Sequence, residues 1–213
     1  WNRNPKIDVV MFLAVIDTIE LDNRYGILSK ACAKTNKVMY FEGHGKAPVS
    51  KYMKNIVDYT DFSQIIYKGN TPTKRPFFRC TRDTLTSQEC VQQIIDSKYN
   101  KIAVVGKSLA GKTTIRNDLQ KVNNGKYDII DDLKHWTDTG SATQIEIDDL
   151  KKYEKFVCFD YRALEYYDEF DAVFFLTANE TLIGQRRPRK GPLRSPTITN
   201  YDTLKEVYTV KTY

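Results

Sequence analysis

The sequence predicts an α/β protein: a parallel sheet covered by helices on both faces in its C-terminal part, preceded by a smaller α/β region. Three observations carry that expectation. From Asn100 onward short apolar segments alternate with amphipathic ones, the pattern that parallel strands joined by helical crossovers require. The apolar run Ile102-Ala103-Val104-Val105 enters a glycine-rich turn, and the turn opens into helix-compatible residues with apolar positions at Ile115, Leu119 and Val122. No segment repeats at a period of about 20 to 50 residues, which sets solenoids and propellers aside.

In the N-terminal region, residues 9–21 fit either a buried strand followed by a turn or an amphipathic helix. Residues 37–41 read as a strand, 49–57 as a helix and 63–67 as a strand. The polar stretch Asn70-Thr71-Pro72-Thr73-Lys74-Arg75-Pro76 carries two prolines and is expected to be a loop or a boundary. The domain boundary itself is placed near 98, giving an α/β region over 1–98 and a second domain over 99–213. That second domain reads as strand 101–105, helix 112–122, strand 127–130, a helical stretch near 148–153 and strand 156–159. There follow a short helix near 162–167, strand 172–176, helix 180–185, a loop rich in Pro and Arg, and a closing helix over 201–208.

Composition narrows the function classes. Lys and Arg number 33 against 27 Asp and Glu, a net charge of +6 that suits a partner carrying phosphates. The longest apolar run, residues 9–16, is too short to cross a bilayer, so a soluble chain with no membrane partner is expected. Cys32, Cys80, Cys90 and Cys158 form no C-x-x-C pair and have no histidine at ligand spacing, which argues against a zinc site or a disulfide framework. A reducing, cytoplasmic compartment follows. The abundance of Lys, Asn, Tyr, Ile and Asp resembles proteins of AT-rich genomes, many viral ones among them, and the start at Trp1 suggests part of a larger polypeptide or assembly.

The chemistry is concentrated between 106 and 113. Gly106-Lys107-Ser108-Leu109-Ala110-Gly111-Lys112-Thr113 matches the phosphate-binding pattern G-x-x-x-x-G-K-[ST] at every fixed position. In such a loop glycines let backbone N–H groups turn inward on phosphate oxygens, and the helix N-terminus, here running on through Thr114, adds its dipole. Lys112 would reach the β- and γ-phosphates, and the Thr113 hydroxyl would support Mg²⁺. The ligand implied is ATP or GTP with Mg²⁺. Downstream, Tyr127-Asp128-Ile129-Ile130-Asp131-Asp132 ends a strand in two carboxylates, suited to accept a proton from an attacking hydroxyl, to hold water on Mg²⁺, or to cap a helix. Phe156-Val157-Cys158-Phe159-Asp160 gives a second acidic strand end, and Asp160 is either a metal-supporting carboxylate or the start of a solvent loop. Arg187, Arg189 and Arg194 sit on the Pro- and Gly-bearing segment behind the last strand. They are suited to neutralise charge during phosphoryl transfer, with a solvated loop or a nucleic-acid contact strip as the other readings.

Across 101–208 this order of elements, with "FLTANETLIGQRRPRKG" behind a late strand, resembles the phosphate-loop kinases of small metabolites, nucleotides and polynucleotide 5′ ends. The resemblance implies Lys112 on the transferred phosphate, Thr113 on Mg²⁺, Asp131 or Asp132 as general base, and Arg187 with Arg189 or Arg194 in a lid. The acceptor implied is a nucleotide or an RNA or DNA end. A nucleoside triphosphatase that drives or switches an assembly is the rival class, and a nucleotide-binding module without turnover is the third. In the N-terminal half, Lys37 to Lys51 is similar to the strand and "DG-x-x-P-x-x-K" loop of 5′-to-3′ exoribonucleases. His44 stands at the aspartate position there, and Glu42 and Asp17 are the candidate carboxylates; a plain strand and turn with His44 and Lys46 in solvent is the other reading. Phe77, Phe78 and Arg79 beside Lys74 and Arg75 fit either base stacking or core packing.

Overall fold

Asp8, Val10 and Phe12 alternate with Ile7, Val9, Met11 and Leu13, and the chain opens as strand β1 (Ile7–Leu13) with Phe12 turned into the core. The computed structural model describes residues 6–45, 47–107, 109–131, 149–160, 163–178 and 197–212. The chain clusters into two compact units, residues 1–84 with 205–207 and residues 85–204 with 208–213. The division therefore falls one helix earlier than the position near 98 expected from sequence.

In the first unit β1 runs through a short 3₁₀ turn (Ile16–Thr18) into α1 (Leu21–Lys34), then β2 (Thr35–Glu42), α2 (Val49–Tyr59), β3 (Gln64–Asn70) and β4 (Pro76–Thr81). Residues 9–21 thus take the strand-and-turn alternative. The strand order is β1-β2-β4-β3. β1 and β2 are parallel because α1 carries the chain back between them, whereas β3 and β4 are joined by a tight turn and must run antiparallel. That turn is the 70–76 stretch, which proves a hairpin loop. The Thr71 amide donates to the Arg75 carbonyl at 2.8 Å, the Lys74 amide donates to the Thr71 carbonyl at 2.8 Å, and Lys74 has φ +60°. The core lies between this sheet and the two helices. Phe41 meets Phe12, Tyr52 and Phe78 at ring distances of 5.7, 5.8 and 5.9 Å, and Leu28, Met53 and Ile56 close the packing from the helix side.

The second unit begins with α3 (Ser87–Asp96), whose start carries a complete capping box. The Glu89 amide donates to the Thr86 hydroxyl at 3.2 Å while the Thr86 amide donates to the Glu89 carboxylate at 2.8 Å. Replacing Thr86 by Ala is expected to cost about 1 kcal/mol in chemical denaturation; an unchanged midpoint would show that the cap is not needed. There follow β5 (Lys101–Gly106), α4 (Lys112–Val122), β6 (Asp128–Ile130), β7 (Phe156–Cys158), α5 (Ala163–Tyr166), β8 (Ala172–Ala178) and β9 (Glu206–Thr212), in the spatial order β9-β8-β5-β7-β6. The pairs β5–β7, β5–β8 and β6–β7 are parallel. With the antiparallel pairs of the first unit, the chain is α/β with mixed strand pairing, mostly parallel in its second unit.

The closing helix expected over 201–208 is absent, and β9 stands in its place. Val207, Tyr208, Val210 and Thr212 are buried, and the Tyr208 ring stacks on Phe174 of β8 at 4.7 Å. β-branched and aromatic residues favour that pleated surface over a helix. The helix expected over 180–185 lies outside the described residues; of the stretch near 148–153, Asp149 and Leu150 are helical and a turn follows. None of the four cysteines is in a disulfide, and all four are buried. Among the described residues no helix is long and apolar enough to cross a membrane.

Candidate functional site

β5 ends at Gly106, where a side chain has no room. A Cβ there would stand 2.7 Å from the Leu176 carbonyl oxygen and 2.9 Å from the Leu176 Cβ. The chain then turns through left-handed backbone at Leu109 (φ +68°) and Gly111 (φ +95°), the second of which caps α4. Buried Ala110 pins the turn: its amide donates to the Lys107 carbonyl at 3.1 Å, and its carbonyl accepts from the Thr212 hydroxyl at 2.7 Å. The Gly111 carbonyl accepts from the amides of Thr114 and Ile115 at 3.1 and 3.2 Å. The first-turn amides of Lys112 and Thr113 have no protein acceptor among the described residues, as expected at a helix N-terminus. Lys112 folds its ammonium back over the loop, donating to the carbonyls of Gly106 at 2.8 Å and Lys107 at 3.1 Å. Burial pushes its pKa below the ordinary lysine value, and the charges of Asp160 and Asp131 act in the opposite direction.

Strand register places both acids at the same edge of the sheet as this loop. Ala103 of β5 pairs with Cys158 of β7 and Val173 of β8, and Cys158 pairs with Ile130 of β6. Gly106, Asp160 and Asp131 therefore leave their strands within a few residues of one level. β5 also sits where the order of strands reverses, because the chain crosses from it to β6, returns to β7, and then continues on its other side at β8. In open α/β sheets the crevice at such a reversal, beyond the carboxyl ends of the strands, is where ligands bind. Asp160 is buried, at 4% exposure, whereas the Asp131 side chain is half exposed and accepts from the guanidinium of Arg116.

Of the residues expected from sequence, Gly106, Lys107, Leu109, Ala110, Gly111, Lys112, Thr113, Thr114, Asp131 and Asp160 are gathered at this edge. Ser108, Asp132, Arg187, Arg189 and Arg194 lie outside the described residues. Two further residues belong to the site. Arg116 stands one helical turn beyond Lys112 and holds Asp131, a spacing visible in the sequence. Thr212 buttresses the loop from β9 and donates also to the Thr177 carbonyl at 3.3 Å, a contact no local pattern announces.

The Thr113 hydroxyl at the exposed first turn of α4 and the Asp160 carboxylate on the neighbouring strand end are hard oxygen donors. Mg²⁺ takes one or two such donors together with phosphate oxygens, so the donor set fits it. In the first unit the carboxylates considered for metal chemistry have other partners. Glu42 accepts from the Thr71 hydroxyl at 3.2 Å and faces Arg75 at 3.8 Å, while Asp17 accepts from the Tyr52 hydroxyl and faces Arg24 at 3.4 Å. Among the described residues no group of three or more His, Cys, Asp or Glu is arranged to hold a metal ion. Comparisons with protein-family models, curated proteins and solved structures return no match.

Proposed function

We propose that the second unit binds ATP or GTP with Mg²⁺ and moves the γ-phosphoryl group to a hydroxyl or phosphate on a nucleotide or a polynucleotide 5′ end. One observation carries this reading: an ammonium parked on the carbonyls of its own loop, over helix amides that have no acceptor among the described residues. A triphosphate tail offers acceptor oxygens to those amides and a charged partner to the ammonium. On binding, Lys112 exchanges the Gly106 and Lys107 carbonyls for β- and γ-phosphate oxygens. Gly106 matters because a Cβ there would strike the Leu176 carbonyl oxygen and push the start of the loop off β8. Thr113 and Asp160 would hold Mg²⁺, which when bound supplies neutralising charge on the phosphates. Asp131 or Asp132 receives the proton of the attacking hydroxyl, with Arg116 fixing the direction of Asp131.

Hydrolysis is the second reading. It is favoured by the Arg116–Asp131 pair, which leaves this carboxylate a free oxygen to hold one water but less room for a larger acceptor. Incubation with γ-labelled ATP or GTP, Mg²⁺ and a panel of nucleosides, nucleotides and 5′-hydroxyl oligonucleotides separates the classes. Label on an acceptor is expected; free phosphate alone would mean a hydrolase, and neither would mean a binding module. Asp131→Asn and Asp132→Asn, tested separately, are expected to show one loss of about 10²-fold or more in transfer rate. If neither lowers it, the base is elsewhere.

A further inference from the structure

The sheet of the first unit has one face that is exposed along β1, where Ile7, Val9, Met11 and Leu13 are all exposed. α1 packs on β1 and β2 and α2 on β3, covering the side of Phe12, Phe41 and Phe78, and among the described residues no helix of the unit lies over the other side. Cross-strand register sets a row on that side running from exposed Met11 through half-buried Tyr40 and Arg79 to Ile66, which is buried, so the row is open toward β1 and closed at β3. Phe77, in the next row, stacks on Tyr40 with ring centroids 5.7 Å apart and planes within 3°. Met11 is 64% exposed and Val9, two residues before it, 51% exposed. Tyr40, Phe77 and Arg79 are half-buried, while Phe78 turns into the core on the other side of the sheet.

Arg79 differs from its neighbours in kind. Arg24, Arg75 and Arg82 of the same unit each face a carboxylate, on Asp17, Glu42 and Asp61. Arg79 has no such partner among the described residues. The surplus of positive charge is also local. The first unit holds fifteen Lys and Arg against nine Asp and Glu, while the second holds eighteen of each, so the whole net charge of +6 belongs to the first unit.

We infer that this face binds single-stranded nucleic acid. Unstacked bases lie on the Tyr40–Phe77 pair, Arg79 takes a backbone phosphate, and Val9 and Met11 cover the apolar parts of base and sugar. An aromatic pair stacks any base, and a surrounding positive field holds the backbone, which is the logic of sequence-tolerant single-strand binding. A duplex keeps its bases stacked inside and has no use for the rings. A second copy of the chain fits poorly, since a two-fold contact through this face would set Arg79 against Arg79 and one positive unit against another. The inference stands whether or not the second unit transfers phosphate.

The test is fluorescence anisotropy of the full chain with a labelled single-stranded oligouridylate and with a duplex of the same length, at low and moderate salt. Binding that prefers the single strand and weakens with salt is expected. Tyr40→Leu, Arg79→Gln and Met11→Glu should each weaken it by about fivefold or more. Met11→Glu sits on an exposed position and keeps the test open should the other two fold poorly. Lys54→Gln, an exposed change on α2, should leave it unaltered, and all four should keep the wild-type ATP affinity. Absence of binding overturns the inference, as does preference for duplex, or binding that survives both Arg79→Gln and Met11→Glu. A dimer in sedimentation that Met11→Glu dissociates would assign the face to a second copy instead and overturn it equally.

Discussion

Lys112→Ala is expected to lower phosphoryl transfer by about 10²–10³-fold while leaving the fold intact, the loss typical of removing one charge-stabilising donor from a reaction centre. Its ammonium donates to the loop's own carbonyls, at 2.8 and 3.1 Å, so its removal takes away a donor to phosphate. The same substitution has a second readout. Burial lowers the Lys112 pKa from the ordinary 10.5, so between the lowered value and 10.5 the unfolded chain holds a proton that the folded chain releases. Stability contributed by this group therefore rises with pH across that window, and the alanine variant should lack the rise in denaturation midpoints taken there. Wild-type turnover by Lys112→Ala would remove the catalytic reading outright.

Gly106→Ala should act on stability and binding together. Its methyl group would meet the Leu176 carbonyl oxygen at 2.7 Å, and backbone on β8 cannot yield as a flexible side chain does. Overpacking of that kind costs about 1–3 kcal/mol. Because the strain is relieved by moving the start of the loop away from β8, nucleotide affinity should fall further than the denaturation midpoint alone implies. Urea denaturation paired with nucleotide titration checks both; a variant with unchanged stability and unchanged affinity would show that the loop has room to spare.

The glycine loop was legible in the sequence because its constraints are local. Gly106, Gly111, Lys112 and Thr113 lie within eight residues, flanked by a strand of apolar residues and a helix with apolar positions at Ile115 and Leu119. Asp131 and Asp160 were legible as acids closing short apolar runs, and parallel pairing then brings both to one edge. What stayed hidden depends on distant partners. Glu206, Lys205 and Leu204 read as helix formers, whereas the burial of Val207, Tyr208, Val210 and Thr212 against distant residues, with Tyr208 stacked on Phe174, goes with a strand. With β9 misread, Thr212 could not be seen as a strut beneath Ala110. α1 was missed because Gly26 interrupts it and its fully buried apolar positions reduce to Leu28 and Cys32, a stripe too thin to show a period. The 70–76 stretch shows the reach of a local signal: two prolines mark a loop or a boundary, and only the pairing of β3 with β4 selects the loop.

The first unit takes in Lys205–Val207, and the Lys205 carbonyl accepts from the Tyr67 amide at 2.9 Å. The second unit likewise ties Leu85 to β9, with the Leu85 amide donating to the Thr209 carbonyl at 3.0 Å and the Lys211 amide donating to the Leu85 carbonyl at 2.7 Å. On the ribosome neither unit can finish until nearly all of this chain has emerged. The edge of β3 must wait, unpaired, through the synthesis of more than a hundred intervening residues, about 10 s or so at ordinary elongation rates. A nascent chain halted before 204 should thus expose that edge to chaperones or to aggregation, a vulnerability removed once β9 is in place.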